Sequence, residues 1–353
     1  MAFTLLSYAM ESVTGRNYSQ LLHDEIITPL NLTNTGFSGS GNDSKAVIPP
    51  SEENSWGSDY ADQVPGGGLY SSSNDISKLL GDIISPQPKL LTRAQVKAWL
   101  KPHSMTSNMN MLVGLPWEIF RTRHLTPDYP HAIDLFTKSG TAVGYQGGIT
   151  IIEQYGVGIV VLTAGARGAE AQLALERMLL GTLMPIVEEA TREQAQTYTG
   201  NYSTPESAEV KGSISLGIDS GTGLRLLELS RNGSDILEAL RTMWSSQVVY
   251  LGELVKDLRL YPTDVVKTIE GPGGTKNIEE EWRLQYDSEF EVGESDLPSW
   301  DELGQPCLGW MASNSIVYAG EPVDRFVFVR DGIDGQFLEV RVPSLRLNLT
   351  IHL

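Results

Sequence analysis

The sequence predicts an α+β chain in two parts: an antiparallel sheet flanked by helices over residues 1–187, then an all-β barrel or sandwich over residues 188–353. Three observations carry that reading. Apolar residues recur at helical spacing near the start, at Phe3, Leu6, Tyr8, Met10 and Val13 and again at Leu21, Leu22, Ile26 and Ile27. Two apolar strand-like runs, residues 149–152 and 157–162, stand side by side in mid-chain. Beyond about residue 190 the chain turns into short alternating runs divided by turn residues. A length of 353 residues also exceeds what one hydrophobic core usually organises, so two domains are expected.

The first helix should stop at Gly15, and Pro29 should close the second. Residues 34–63, rich in Gly, Ser, Asn and Pro, read as a long surface connection. Pro65-Gly66-Gly67-Gly68 reads as a tight turn feeding a helix over 74–84, with Ser72 and Asp75 spaced as a capping box and Ile76, Leu79, Leu80 and Ile83 inside. The glycine triplet has no Lys at the P-loop distance, which argues against phosphate binding. A further helix is expected from Thr92 through Val96 and Leu100.

Gly114-Leu115-Pro116-Trp117-Glu118-Ile119-Phe120 leads into a strand, followed by a loop over 124–134 and the run Phe136-Thr137-Lys138-Ser139-Gly140-Thr141-Ala142-Val143-Gly144-Tyr145. Gly147 and Gly156 should separate strands, with a hairpin about Gln154-Tyr155-Gly156. An alanine-rich helix over 168–184, carrying Leu173, Leu175, Met178 and Leu179, closes this half ahead of Pro185. Strands are then expected at 224–229, 248–251, 258–261, 282–286, 315–318, 325–329, 337–342 and 345–353, with turns at Asp331-Gly332 and Asp334-Gly335. Residues 289–302 form an acidic, solvated loop.

Composition narrows the function. Acidic residues outnumber basic ones by 44 to 26, for a net charge of -18, so nucleic acid and anionic membrane surfaces are poor partners. No stretch approaches about 20 apolar residues, and Met1 to Met10 has no basic segment, so neither a membrane span nor a signal peptide is expected. Cys307 is the only cysteine, which excludes an internal disulfide framework and a thiolate zinc cluster, and the five scattered histidines give metal chemistry no support. No cofactor is implied. The sugar-acceptor pattern occurs at Asn17, Asn31, Asn42, Asn201, Asn232 and Asn348, which points toward extracellular life.

With these pieces in order, residues 1–185 resemble the back two-thirds of the β-lactamase-related serine hydrolase domain, which includes class C β-lactamases, D-alanyl-D-alanine peptidases and related esterases. The matching blocks are "FTLLSYAMESVTGRNYSQLLHDEIITPLNLTNTGF", "VPGGGLYSSSNDISKLL", "GLPWEIF" and "FTKSGTAVGYQGGITIIEQYGVGIVVLTAG". With the β-rich tail opening "YTGNYS", the whole chain is most similar to fungal members that carry an appended C-terminal β domain. The resemblance implies a partial β-lactamase/transpeptidase-like fold and a small-molecule or peptide acyl substrate: an amide, lactam or ester.

In that family a Ser-X-X-Lys serine attacks the substrate carbonyl, and a Tyr-X-Asn motif supplies a second proton-transfer group. Neither motif occurs here. Because the family's Tyr-X-Asn stands just before the helix that opens at Met1-Ala2-Phe3, Met1 is expected to be an internal methionine, with the nucleophile upstream.

The third family element, Lys-Ser/Thr-Gly, is present at Lys138-Ser139-Gly140. By the resemblance, Lys138 places positive charge beside the substrate carboxylate, Ser139 hydrogen-bonds it, and Gly140 leaves room for substrate backbone. The Thr141 N–H would complete an oxyanion hole with the N–H of the absent serine. A lysine ahead of this serine leans toward β-lactamase or peptidase-like members. The plain alternative makes Lys138 a solvated edge-strand lysine that deters aggregation. Tyr145 either walls the pocket or packs over the hairpin. His124 and His131 read as solvated loop residues, and the absence of Gly-X-Ser-X-Gly removes an α/β-hydrolase elbow. Two functional classes therefore stand: a serine hydrolase, or a non-catalytic truncated homologue or pseudoenzyme acting as a binding module. In either case an exposed apolar face is expected on strands 133–163 and on the helix over 168–184.

Overall fold

A computed structural model describes residues 1–50, 53–247, 255–288, 310, 312–332, 335 and 337–351. The expected strand at 248–251, the acidic loop 289–302, Cys307 and the Asp334 turn position lie outside the described residues. The chain divides into two compact units, Met1–Glu188 and Glu189–Leu353.

Unit 1 opens with helix α1 (Ala2–Thr14), which Gly15 ends in the left-handed region at φ 68°. Helix α2 (Tyr18–Leu22) is entered through a capping box between Asn17 and Gln20 and runs on through a π-helical turn, His23–Ile27, and a last turn, Thr28–Leu30. Pro29 does not close it. The proline lies within the last turn, and the helix runs one residue further, to Leu30, before Asn31 at φ 51° takes the chain out. Within the long connection, strand β1 (Gly36–Phe37) pairs with β2 (Leu69–Tyr70). The glycine run is a helical turn, Val64–Gly67, and not a bare loop.

Helix α3 (Ser73–Ile84) is capped by Ser72, whose side chain accepts from the Asp75 N–H. The reciprocal half of the expected capping box is missing, because the Asp75 carboxylate takes other partners: the Asn34 N–H, Thr35 Oγ1 and Lys78 Nζ. Helix α4 (Arg93–Trp99) has the full box, between Thr92 and Gln95.

Six antiparallel strands follow in simple meander order: β3 (Ser104–Met105), β4 (Met111–Val113), β5 (Glu118–Thr122), β6 (Ile133–Ala142), β7 (Tyr145–Ile152) and β8 (Val157–Ala164). The turn between β6 and β7 is made at Gly144, φ 83°, and Gly147 lies inside β7. Gly156, φ 62°, makes the next turn as expected. Alternation splits the sheet's two faces. Ile119, Phe136 and Ile151 pack with Leu80, Ile83, Val96 and Leu100 from α3 and α4 on one side. Ile133, Leu135, Ile152 and Val161 pack with Leu180 and Met184 on the other.

Leu180 and Met184 belong to α5 (Gly168–Gln196), which continues through Pro185 instead of ending before it. Proline usually breaks a helix, yet buried Met184 and Glu188 anchor both sides of this one. Its other face is apolar and open: Leu173, Leu175, Met178, Leu179, Leu183 and Ile186 are all exposed. On α1 the same holds for Phe3, Leu5, Leu6, Tyr8, Met10 and Val13.

In unit 2, strands β9 (Gly200–Ser203), β10 (Gly212–Gly217), β11 (Leu224–Arg231), β12 (Ser234–Asp235), β13 (Val255–Glu270) and β14 (Lys276–Ser288) come first. The small hairpin β15 (Val317–Tyr318) and β16 (Glu321–Pro322) is followed by β17 (Arg325–Asp331), β18 (Phe337–Val342) and β19 (Leu347–Ile351). Sheet order β10-β9-β19-β18-β17-β14-β13-β11, with β10 also paired to β11, closes the strands into an antiparallel barrel. The barrel is not purely β. Helix α6 (Ile236–Gln247), which the strand-by-strand reading misses, buries Leu237, Leu240 and Trp244 in the same core as Tyr202, Phe326 and Phe328.

Candidate active site

Strand β6 carries Lys138-Ser139-Gly140, and its register defines the site. Residues Ile133 to Thr137 pair with β5 on one side, Glu118 standing opposite Thr137, while Phe136 to Ala142 pair with β7 on the other. Among the described residues, β6 is therefore paired on both sides only at Phe136 and Thr137, with β5 alone before them and with β7 alone from Lys138 to Ala142. Lys138 thus stands where an interior strand becomes an edge, but it is not simply solvated, because its ammonium is paired with Glu118. Beyond Glu118 the chain leaves the sheet through Trp117, which is buried against Trp99 with ring centroids 4.9 Å apart.

The residues placed by the sequence lie along this half-strand. Lys138 Nζ pairs with Glu118 Oε1 at 2.7 Å and donates to the Ser139 carbonyl at 2.9 Å. Ser139 Oγ donates to Glu118 Oε2 at 3.2 Å. Both carboxylate oxygens of Glu118 are thus held by the two side chains of the motif. Glu118 stood in a recognised block, but nothing in the sequence marked it as their partner. At Gly140 an added Cβ would meet no atom of the described residues within 4 Å, so none of them requires glycine there.

Thr141 Oγ1 donates to Gln146 Oε1 at 2.6 Å across the turn. Tyr145, at the start of β7, donates from its hydroxyl to the Val47 carbonyl at 3.0 Å, and burial raises its pKa above the ordinary phenol value. Tyr145 also walls a cavity of about 750 Å³ with Val47, Trp56, Tyr70, Ser71 and Leu162, at the Ala142 end of the open half-strand. Lys138 and Ser139 do not line it.

The histidines play no part here. His124 is exposed, but His131 is no solvated loop residue. It lies at the far end of β6, its Nδ1 by the Tyr129 carbonyl at 2.9 Å and its Nε2 by the Tyr155 hydroxyl at 2.9 Å; that hydroxyl in turn donates to buried Glu188. Among the described residues, no group of His, Cys, Asp and Glu could hold a metal ion, and no helix is long and apolar enough to cross a membrane.

A family profile described as Beta-lactamase matches residues 1–183. The chain belongs to the beta-lactamase family. A second profile, described as Beta-lactamase-like-like, C-terminal domain, matches residues 190–352. Among similar proteins, a beta-lactamase-like protein of Arthroderma benhamiae is 42% identical over 98% of this chain and 59% of its own length. The probable hydrolase clz13 of Cochliobolus lunatus is 30% identical over 99% of this chain and 54% of its own. The chain thus spans between half and three-fifths of these relatives. A solved D-stereospecific amidohydrolase from Streptomyces sp. aligns with a TM-score of 0.41 at 18% identity, over 51% of this chain and 53% of that one. This beta-lactamase family member is accordingly a mixed helix and sheet protein with a large C-terminal sheet region.

Proposed function

We propose that this chain supplies the substrate-binding strand of a serine hydrolase that forms and hydrolyses an acyl-enzyme from an amide, lactam or ester. The reading takes 1–187 as the hydrolase-type domain and 188–353 as an appended β domain. The observation that carries it is the one-sided pairing of β6: from Lys138 to Ala142 the strand pairs with β7 alone, and a cavity opens at its Ala142 end, in a family whose substrates lie along this strand. Substrate would lie flat over Gly140, with the Thr141 N–H donating to the carbonyl oxygen as it becomes an oxyanion, which would lower the barrier by about 3 kcal/mol. The nucleophilic serine and its lysine would come from polypeptide outside these 353 residues, since no Ser-X-X-Lys occurs within them.

The test is covalent labelling of the gene's full product, including whatever is encoded upstream of Met1, with a fluorophosphonate or penicillin probe. Labelling at a Ser-X-X-Lys serine supports the hydrolase. Well-folded protein that resists both probes favours the second reading, a non-catalytic binding module, which has its own support in the missing nucleophile motif.

A further inference from the structure

Glu118 gives the site a property that the motif alone does not. The groups expected to receive a substrate carboxylate, Lys138 Nζ and Ser139 Oγ, already hold one: Glu118, through one oxygen each, at 2.7 and 3.2 Å. The pairing is built into the sheet. Glu118 is fixed opposite Thr137 by the β5–β6 register, and the Thr137 hydroxyl donates to the Glu118 backbone carbonyl at 2.8 Å, so its main chain is held where the side chain reaches the motif. The local charge of Lys138 is neutralised. An incoming carboxylate would have to expel Glu118 and then sit beside a displaced like charge, whereas an uncharged group meets neither cost.

We propose that Glu118 is a specificity-determining residue, the internal carboxylate that turns the Lys138-Ser139 site away from carboxylate-bearing acyl donors and toward uncharged esters and amides. The inference rests on the reading of β6 as a substrate strand and narrows it to a substrate class. The pair is about one-third exposed on each side, so water screens the discrimination.

The experiment compares N-acetylalanine with its methyl ester, which removes the charge and adds one methyl group. Each is titrated into the 353-residue chain and followed by ligand-observed NMR at fixed low salt. The wild-type chain is expected to bind the ester about two- to fivefold more tightly than the acid, the upper part of the range for a water-screened ion pair. Glu118→Gln, nearly the same in shape, should raise the affinity for the acid by a similar factor and narrow the ratio. Equal binding of acid and ester by the wild type overturns the proposal without any variant, as does a ratio that Glu118→Gln leaves unchanged. If neither probe binds either protein, the substrate-strand reading fails and this inference falls with it.

Discussion

The backbone N–H of Asn34 donates to Asp75 Oδ2 at 2.7 Å, joining the start of the long surface connection to the first turn of α3. Asp75 is fully buried, and the same carboxylate also receives Thr35 Oγ1 and Lys78 Nζ. Burial by itself pushes this carboxyl up, but the bonds from Asn34, Lys78 and Thr35 outweigh it and hold the pKa below the ordinary value. Asp75→Ala should cost about 1–3 kcal/mol, because the Asn34, Thr35 and Lys78 donors lose a charged acceptor, and should appear as a lowered urea midpoint.

A second carboxylate makes the barrel acid-sensitive. Asp219 accepts from both terminal nitrogens of buried Arg259 at 2.8 Å, and these bonds lower its pKa to about 2. A depressed folded pKa means that the stabilisation is complete above about pH 4 and is lost as pH falls toward 2. With about a third of the Asp219 side chain exposed, its contribution is expected to be about 1–2 kcal/mol. In melts between pH 5 and pH 2, Asp219→Asn should flatten that part of the pH dependence.

Gly140 separates binding from folding. Because a Cβ there meets none of the described residues, Gly140→Ala should leave the melting temperature within about a degree while weakening binding of any ligand that lies on β6. A large loss of thermal stability would mean that the glycine serves the fold instead.

The exposed apolar faces of α1 and α5 should be sticky. Light scattering is expected to show concentration-dependent association of the 353-residue chain, reduced in the double variant Leu6→Lys, Met178→Lys. A monodisperse monomer at high concentration would count against it.

All six sequon asparagines are exposed, so a secreted form should carry N-glycans at Asn17, Asn31, Asn42, Asn201, Asn232 and Asn348. Removal of glycans by an endoglycosidase should step the mobility down. An unchanged band from secreted protein would refute surface glycosylation.

Local signals were the legible ones. Ser72 and Thr92 cap helices because a short polar side chain can reach an orphan N–H, and Gly156 turns because its φ of 62° suits glycine, all readable from neighbours a few residues apart. Pro185 was misread for the opposite reason: tertiary burial of Met184 and Glu188 overrides a local breaker. The helix at Ile236–Gln247 did leave a trace, since Ile236, Leu237, Leu240, Met243 and Trp244 keep helical spacing between strands. The bond between Lys138 and Glu118 could not be read at all. The two are 20 residues apart, and they meet only because the β5–β6 register sets Glu118 against Thr137.

Closure of the C-terminal strands has one more consequence. Among the described residues the eight strands of the ring each have a neighbour on both sides, which leaves less main chain there for another molecule to pair with. The unpaired stretch of β6 works the other way: it offers main-chain donors and acceptors common to every residue, a surface that senses the shape of an extended chain before its composition.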